Sequence, residues 1–254
     1  MTDTMSLEML GLLAPAFFAS LIVAATHVPL GQEVLKRGII FIDLATAQIA
    51  ALGVVVGNVF FHAEEGLVPV LLALLFALAG GGLFGLLERK APKFQEAFIG
   101  CAFVISASLI ILVLSGDPHG GEEVEGLLAG QILWVGWRQV LLTGAVYTAI
   151  LFTWFGFKDK RAILFYVLFP VTITLSVQLV GVYLVFASLI IPAMGAALFA
   201  EAKKLAAGYA IAGLSAAAGL SLSVAADWPA GPTLVCSYAL VAGLVGCMKM
   251  RVSR

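Results

Sequence analysis

Charged side chains are scarce in this sequence. Only 11% of the residues are Asp, Glu, Lys or Arg, whereas 62% are hydrophobic and the mean hydropathy is +1.09. Because a soluble domain carries about a quarter charged residues, this composition excludes the soluble globular class and predicts an integral membrane protein. The sequence also has no basic stripe with interleaved aromatic residues, so we do not expect nucleic acid as a partner.

Cysteine is also rare, and its placement excludes two kinds of site. The three cysteines lie inside apolar runs and form no C-x-x-C pair: Cys101, Cys236 and Cys247. We therefore expect neither a disulfide nor a structural zinc site. A P-loop, an H-E-x-x-H motif and a Ser/His/Asp set are absent as well, so we expect no enzymatic activity in this chain.

What the sequence does contain is a series of long apolar runs. About twenty apolar residues suffice to cross a bilayer, and such runs must be helical because hydrocarbon offers the backbone no other hydrogen-bond partners. We predict an all-α, polytopic transmembrane bundle that occupies residues 1–254 as a single domain with about nine spans (eight or nine). The predicted spans are Met9 to Val28, Ile39 to Phe61, Leu67 to Leu87, Phe98 to Leu114, Val140 to Phe157, Ile163 to Leu179, Val182 to Ala200, Leu205 to Val224 and Pro232 to Met248.

The basic residues fall on alternate connections between these spans. Only Arg138 departs from this set of thirteen: Lys36, Arg37, Arg89, Lys90, Lys93, Lys158, Lys160, Arg161, Lys203, Lys204, Lys249, Arg251 and Arg254. The opposite connections are acidic. By the positive-inside rule we predict a multi-pass protein of the plasma (inner) membrane with a cytoplasmic carboxyl terminus and an external amino terminus. The amino-terminal segment MTDTMSLEML has no Lys or Arg, so we expect the first apolar run to be kept as a span.

Two segments interrupt the regular pattern. Gly116 to Val135 begins as an acidic, glycine-rich loop and ends in a short apolar piece, which predicts a half-helix or interfacial segment leading to Trp134 and Trp137. In Val171 to Val180, polar and apolar residues alternate as in a strand. A lone strand cannot stand in lipid, so we predict a helix there, buried in the centre of the bundle.

Asp43 is the only acid within a predicted span. An ionisable group at membrane depth is costly and usually marks a substrate or ion path. The alternative is a purely structural pairing of Asp43 with Lys36 or Arg37 near the inner boundary.

The residues that follow Asp43 define the face of its helix. Thr46 and Ala47, together with Ala50 one turn further on, share the face of Asp43, whereas Gln48 lies about 140° around the helix. This face is made of small residues, which could line a narrow passage or pack against a neighbouring helix. We take Asp43, Thr46, Ala47 and Gln48 as the candidate translocation path.

Two further sets of residues are candidates for packing and for metal capture. Gly53 and Gly57 form a G-x-x-x-G pair that favours close helix contact. The external acidic loop offers imidazole and carboxylate groups that suit zinc or manganese, and these candidate ligands are Asp117, His119, Glu122 and Glu123. The alternative is a solvated loop that attracts cations without binding one.

Three stretches resemble the permease subunits of ATP-binding-cassette importers for zinc and manganese. The first, Leu30 to Gly57 (LGQEVLKRGIIFIDLATAQIAALGVVVG), has a glycine, a basic pair, an aspartate, small residues and a glycine in the order of the family signature. The second, Ser176 to Ala200 (SVQLVGVYLVFASLIIPAMGAALFA), has the later glycine, aliphatic run and proline. Between them, Asp117 to Val135 is similar to the external PxGxxxxxxxxxG pattern. The likeness runs over most of the chain in order.

This resemblance implies a type II importer-like fold that forms a homodimer. It further implies a cytoplasmic ATPase that hydrolyses ATP on a separate chain, and an extracytoplasmic protein that delivers the metal. No covalently bound cofactor is implied, and the divalent metal is the transported substrate. The predicted function is therefore uptake of a divalent metal, zinc first and manganese next. The alternatives are a secondary transporter that uses Asp43 as a proton or sodium site, and a non-transporting scaffold or decayed paralogue.

The sequence departs from the family pattern at two places. The family places a histidine one turn after its aspartate, but that position here is Ala47. The family also has a cytoplasmic helix where this chain has only Lys158 to Ala162 (KDKRA). The resemblance then leaves ATPase coupling to the loop after Pro192, for which the candidate residues are Ala196, Glu201, Lys203 and Lys204.

Overall fold

In the residues that the computed structural model describes, helices joined by short connections are the regular elements. The described residues are 2–61, 66–115, 126, 128, 130 and 132–252, with side chains described for all of them except residues 2–10, 12 and 250–252. The helices are α1 (Thr2–Arg37), α2 (Ile42–Phe61), α3 (Leu67–Lys90), α4 (Gln95–Leu114), α5 (Trp137–Gly156), α6 (Arg161–Val180), α7 (Val182–Ala197), α8 (Glu201–Ala226) and α9 (Ala230–Val252). The prediction of an all-α polytopic bundle is confirmed.

Eight helices in the described part of the chain are long and apolar enough to cross a membrane. The ninth, α7, is apolar but has 16 residues, which span about 24 Å at 1.5 Å per residue. This result agrees with the predicted eight or nine spans. Large apolar side chains such as Leu75, Leu141 and Phe152 are exposed on these helices, where lipid would cover them.

The chain divides into two compact units. Unit 1 comprises Met1–Lys36, Ala129–Ala149 and Leu179–Arg254, and unit 2 comprises Arg37–Leu128 and Ile150–Gln178. The units therefore interleave along the sequence, and each is built from discontinuous segments.

In unit 1, α7, α8 and α9 pack against one another, and α1 packs closely beside them. Pro29 inside α1 has no N–H, so the carbonyl of Ala25 loses its helical partner. The Tyr209 hydroxyl of α8 donates to that carbonyl at 3.0 Å. A Cβ at Gly31 would overlap the carbonyl oxygen of Leu189, so only glycine allows α1 and α7 to approach this closely. The contact from Tyr209 thus replaces the helical hydrogen bond that Pro29 removes.

In unit 2, α2 lies between α3 and α4. Small side chains make the first contact, where Ala50 of α2 packs with Ala73 and Ala77 of α3. The second contact joins α2 to α4, and its buried members are Ala51, Val55, Ile110 and Leu114. Two different stripes of α2 are therefore covered by two neighbours.

The glycine pair on α2 lies against the backbone of α3. A Cβ at Gly53 would stand 2.7 Å from the carbonyl oxygen of Leu72 and 2.8 Å from Cα of Ala73, while one at Gly57 would stand 3.0 Å from Cα of Pro69. Main-chain atoms cannot withdraw as a flexible side chain can. The approach of these two helices consequently depends on the missing side chains.

Two segments that the sequence analysis discussed, residues 171–180 and the connection before α6, have simple structures. Residues 171–180 are helical as predicted and form the end of α6, with Thr172, Thr174 and Ser176 buried. Lys158–Lys160 is a single 3-10 turn that leads directly into α6, so no separate helix occupies this connection.

The predicted half-helix before Trp134 is seen only in part. Ile132–Trp134 is one 3-10 turn, and the indole of Trp134 is exposed. Much of residues 116–131 lies outside the described part of the chain, so the prediction for that portion stands as it was made.

The contact between α2 and α3 gives a first prediction. We expect Gly53→Ala to lower the thermal unfolding midpoint of the detergent-purified protein, because overpacking against backbone costs about 1–3 kcal/mol. Gly100→Ala is the matched control, since a Cβ there meets nothing within 4 Å and alanine favours a helix. Equal midpoints for the two variants would contradict the close approach.

Candidate functional site

Asp43 lies in the first turn of α2 and is only 1% exposed. The chain reaches this point through a turn at Gly38, whose φ of 72° favours glycine. The helical hydrogen bonds then begin with the N–H of Ala45, which donates to the carbonyl of Phe41 at 3.0 Å. The carboxylate is thus placed at the positive end of the helix dipole, where negative charge is stabilised.

Neither oxygen of the Asp43 carboxylate has a hydrogen-bond partner among the described residues. Arg37, the basic residue that could have neutralised it, is engaged elsewhere. Its Nη1 lies 2.8 Å from Oε1 of Glu88, and its guanidinium stacks over the rings of Phe165 and Tyr166, at 4.6 and 5.5 Å from their centroids. The structural pairing with Arg37 is therefore not formed. Buried charges are normally paired, so the lack of a hydrogen-bond partner for this carboxylate among the described residues is unusual.

The other residues of the candidate path are also buried. Thr46 donates its hydroxyl to the carbonyl of Ile42 at 2.6 Å, so its proton is used within the helix. Ala47 and Gln48 are 1% and 6% exposed. Further along the face of Asp43, Ala50 packs against α3. At Ala50, therefore, the face of α2 that is made of small residues packs against a neighbouring helix.

A second carboxylate lies beside Asp43. Glu96, in the first turn of α4, accepts the N–H of Phe41 at 3.3 Å through Oε1, and its Oε2 is buried without a hydrogen-bond partner among the described residues. Glu96 is also close enough to interact electrostatically with Asp43. The candidate span that contains α4 begins at Pro92 and so includes Glu96, which lies outside the span predicted from Phe98. An acid two residues before the apolar run from Phe98 was the signal in the sequence.

The ends of α3, α4 and α6 are joined next to these carboxylates. Gln95 of α4 donates through Nε2 to the Tyr166 hydroxyl at 2.8 Å and to the carbonyl of Phe84 at 3.3 Å. Together with the pair of Arg37 and Glu88, these bonds fix the helix ends that surround Asp43. We call these five residues the clasp.

Unit 1 contains a buried histidine that the sequence did not single out. His27 is fully buried, and its Nδ1 lies 2.8 Å from the hydroxyl of Ser188. The same hydroxyl also lies 3.0 Å from the carbonyl oxygen of Val185. The contact joins α1 to α7. In the described residues no group of three or more His, Cys, Asp or Glu side chains could hold a metal ion.

The remaining candidates are dispersed. The external acidic loop with Asp117, His119, Glu122 and Glu123 lies outside the described residues. Of the candidates for ATPase coupling, Ala196 is fully buried inside α7 and offers no docking surface. Glu201 and Lys203 are exposed in the first turn of α8, and Lys204 pairs with Glu201 at 2.6 Å.

The chain matches the model of the ABC 3 transport family over residues 9–165 and 156–249. The chain belongs to the ABC 3 transport family. This membership confirms the resemblance found in the sequence, and it agrees with a membrane-embedded permease that does not itself carry the ATPase.

Individual relatives point the same way. The chain is 26% identical over 250 residues to the high-affinity zinc uptake system membrane protein ZnuB of Haemophilus influenzae, a match that covers 89% of this chain and 94% of ZnuB. Its fold is similar to PsaBC from Streptococcus pneumoniae, solved in complex with a Fab, with a TM-score of 0.73, 18% identity and coverage of 92% and 90%. An inward-facing metal-chelate type ABC transporter gives a TM-score of 0.67 at 17% identity, with coverage of 91% and 84%.

The clasp gives a second prediction. We expect Arg37→Ala to lower the free energy of unfolding by about 1.5–3 kcal/mol, because Glu88 loses a charged hydrogen bond and two aromatic rings lose a stacked cation. Chemical denaturation in mixed micelles measures this change. Arg89→Ala, at the exposed neighbour of Glu88, is the control, and we expect it to change the stability little. Equal losses for both variants would contradict the role of the clasp.

Proposed function

We propose that this chain is the membrane permease subunit of an importer for a divalent metal, zinc or manganese, and that Asp43 is the metal ligand on the translocation path. The observation that carries the proposal is a buried carboxylate with no hydrogen-bond partner among the described residues, at the start of a spanning helix. Membership of the ABC 3 transport family supports the permease role, and the zinc uptake function named for ZnuB supports the class of substrate.

The arrangement suits transient binding of a cation. A transporter must hold its substrate weakly enough to release it, and a single chain that offers few ligands meets this requirement. Arg37 is held by Glu88, so it does not compete with an incoming metal for Asp43. Thr46 and Ala47 share the face of Asp43 and are buried with it, and Gln48 is buried on another face of the same turns of α2.

The proposed partners follow from the family and from the charge pattern. We propose a homodimer served by a separate cytoplasmic ATPase and by an extracytoplasmic metal-binding protein, with the carboxyl terminus and the basic connections in the cytoplasm. The start of α8 supports an ATPase contact, since Glu201 and Lys203 are exposed there and Lys204 is tied to Glu201. The external acidic loop would collect cations at the opposite side.

The role of Asp43 gives a third prediction. We expect Asp43→Asn to abolish metal uptake in cells that express the complete transporter, because the amide keeps the shape of the side chain and removes the charge that attracts the cation. Uptake of radioactive zinc and manganese, normalised to the amount of protein in the membrane, measures the effect.

Asp227→Asn is the matched control for this variant. Asp227 is exposed and adopts a left-handed conformation with φ of 52°, which asparagine also tolerates. We expect its uptake to equal that of the wild type. Normal uptake by Asp43→Asn would show that Asp43 is not on the path. If wild-type uptake depends on a proton or sodium gradient and not on ATP, and Asp43→Asn loses it, a secondary transporter is favoured.

The start of α8 gives a fourth prediction. We expect the double variant Lys203→Glu, Lys204→Glu to reduce co-purification of the ATPase about tenfold or more, because two favourable contacts become repulsive. Arg138→Glu reverses an exposed charge outside the set of basic connections and serves as the control. Retention of the ATPase by the double variant would place the docking surface elsewhere.

A further inference from the structure

Three buried carboxylate oxygens in unit 2 lack hydrogen-bond partners among the described residues. Oδ1 and Oδ2 of Asp43 and Oε2 of Glu96 are all buried, and none has a hydrogen-bond partner among the described residues. The two side chains start adjacent helices, α2 and α4, and interact electrostatically. Two neighbouring carboxylates repel each other when both are charged, and a positive ion between them relieves that repulsion.

The geometry of the backbone keeps the two carboxylates together. Oε1 of Glu96 accepts the N–H of Phe41, which lies two residues before Asp43, and the carbonyl of Phe41 accepts the first helical bond of α2. Glu96 is therefore anchored by one oxygen to the turn that presents Asp43. Its other oxygen stays unpartnered within the described residues.

We infer that Glu96 is a second metal ligand, that it stands in for the imidazole absent at position 47, and that it makes this permease select manganese over zinc more strongly than a site with histidine would. The inference rests on the proposed function, because it names the metal that the site of Asp43 prefers. It also assigns a residue on a different helix from the one that carries the family signature.

The chemistry of the donors supports manganese. Carboxylate, carbonyl and water oxygens suit manganese, whereas zinc favours imidazole and thiolate and gains more than manganese from each nitrogen ligand. Near Asp43, Glu96 offers a buried carboxylate oxygen and the buried Thr46 offers a hydroxyl oxygen, while Ala47 offers no ligand atom. In the described residues no histidine or cysteine joins the two acids in a metal-binding group.

A purely structural role for Glu96 makes a different prediction. Glu96 could serve only to cap the start of α2 through Phe41, in which case any side chain that accepts this hydrogen bond would preserve function. Glutamine keeps the acceptor oxygen and the length of the side chain but loses the charge. Histidine also keeps an acceptor and replaces the carboxylate with the ligand that zinc prefers.

The experiment measures uptake of manganese and zinc, each at limiting concentration, by cells that express the complete transporter with wild-type, Glu96→Gln or Glu96→His permease. We expect Glu96→Gln to lower manganese uptake about tenfold or more, because a charged ligand is lost. We expect Glu96→His to shift the ratio of zinc to manganese uptake toward zinc by about tenfold. The amount of folded protein, determined by gel filtration in detergent, normalises both results.

The outcomes separate the inference from the proposed function. If the wild type takes up metal, Asp43→Asn does not, and both variants of Glu96 keep the wild-type ratio, Glu96 is a capping residue and the inference is wrong. If the wild type takes up neither metal, the proposed function fails and the inference fails with it. Asp227→Asn controls for the loss of one negative charge, and we expect it to leave the ratio unchanged.

Discussion

An unpaired carboxylate inside a membrane protein is the feature on which the functional reading of this structure depends. Removing a carboxylate from water costs several kcal/mol unless a cation, a proton or hydrogen-bond donors compensate. Within the clasp, Arg37 binds Glu88 and stacks on aromatic rings, so this arginine does not neutralise Asp43. Backbone groups and the dipole at the start of α2 remain as fixed compensation for Asp43, and they are weaker than a full positive charge.

The apolar surroundings also determine how the helices around the site are held together. Hydrocarbon supplies no driving force between apolar helices, so close backbone approach and polar contacts must do so. In unit 2, Gly53 allows the backbones of α2 and α3 to touch. In unit 1, Tyr209 satisfies the carbonyl that Pro29 leaves free, and His27 bonds to Ser188. Each of these features makes the position of one helix depend on another.

The absence of the family histidine at position 47 has a different interpretation once the neighbouring helix is considered. On the sequence alone, Ala47 weakens the resemblance and could mark a decayed transporter. The structure brings Glu96 to the turn before Asp43, so carboxylates from two helices lie near each other. A site of this kind can keep its function while it changes which metal it prefers, because selectivity depends on the type of ligand as well as its number.

The sequence by itself determined the membrane class, the helical spans and the family, and it marked Asp43 as a candidate site residue. These follow from local properties: the length of apolar runs, the placement of Lys and Arg, and a motif read along one helix. Tertiary structure alone decided that Arg37 turns to Glu88, that Ala50 packs against α3, that Ala196 is buried, and that Glu96 joins Asp43. The physical reason is that pairing and burial depend on which helices become neighbours, and residues 43 and 96 are brought together only when α4 packs against α2.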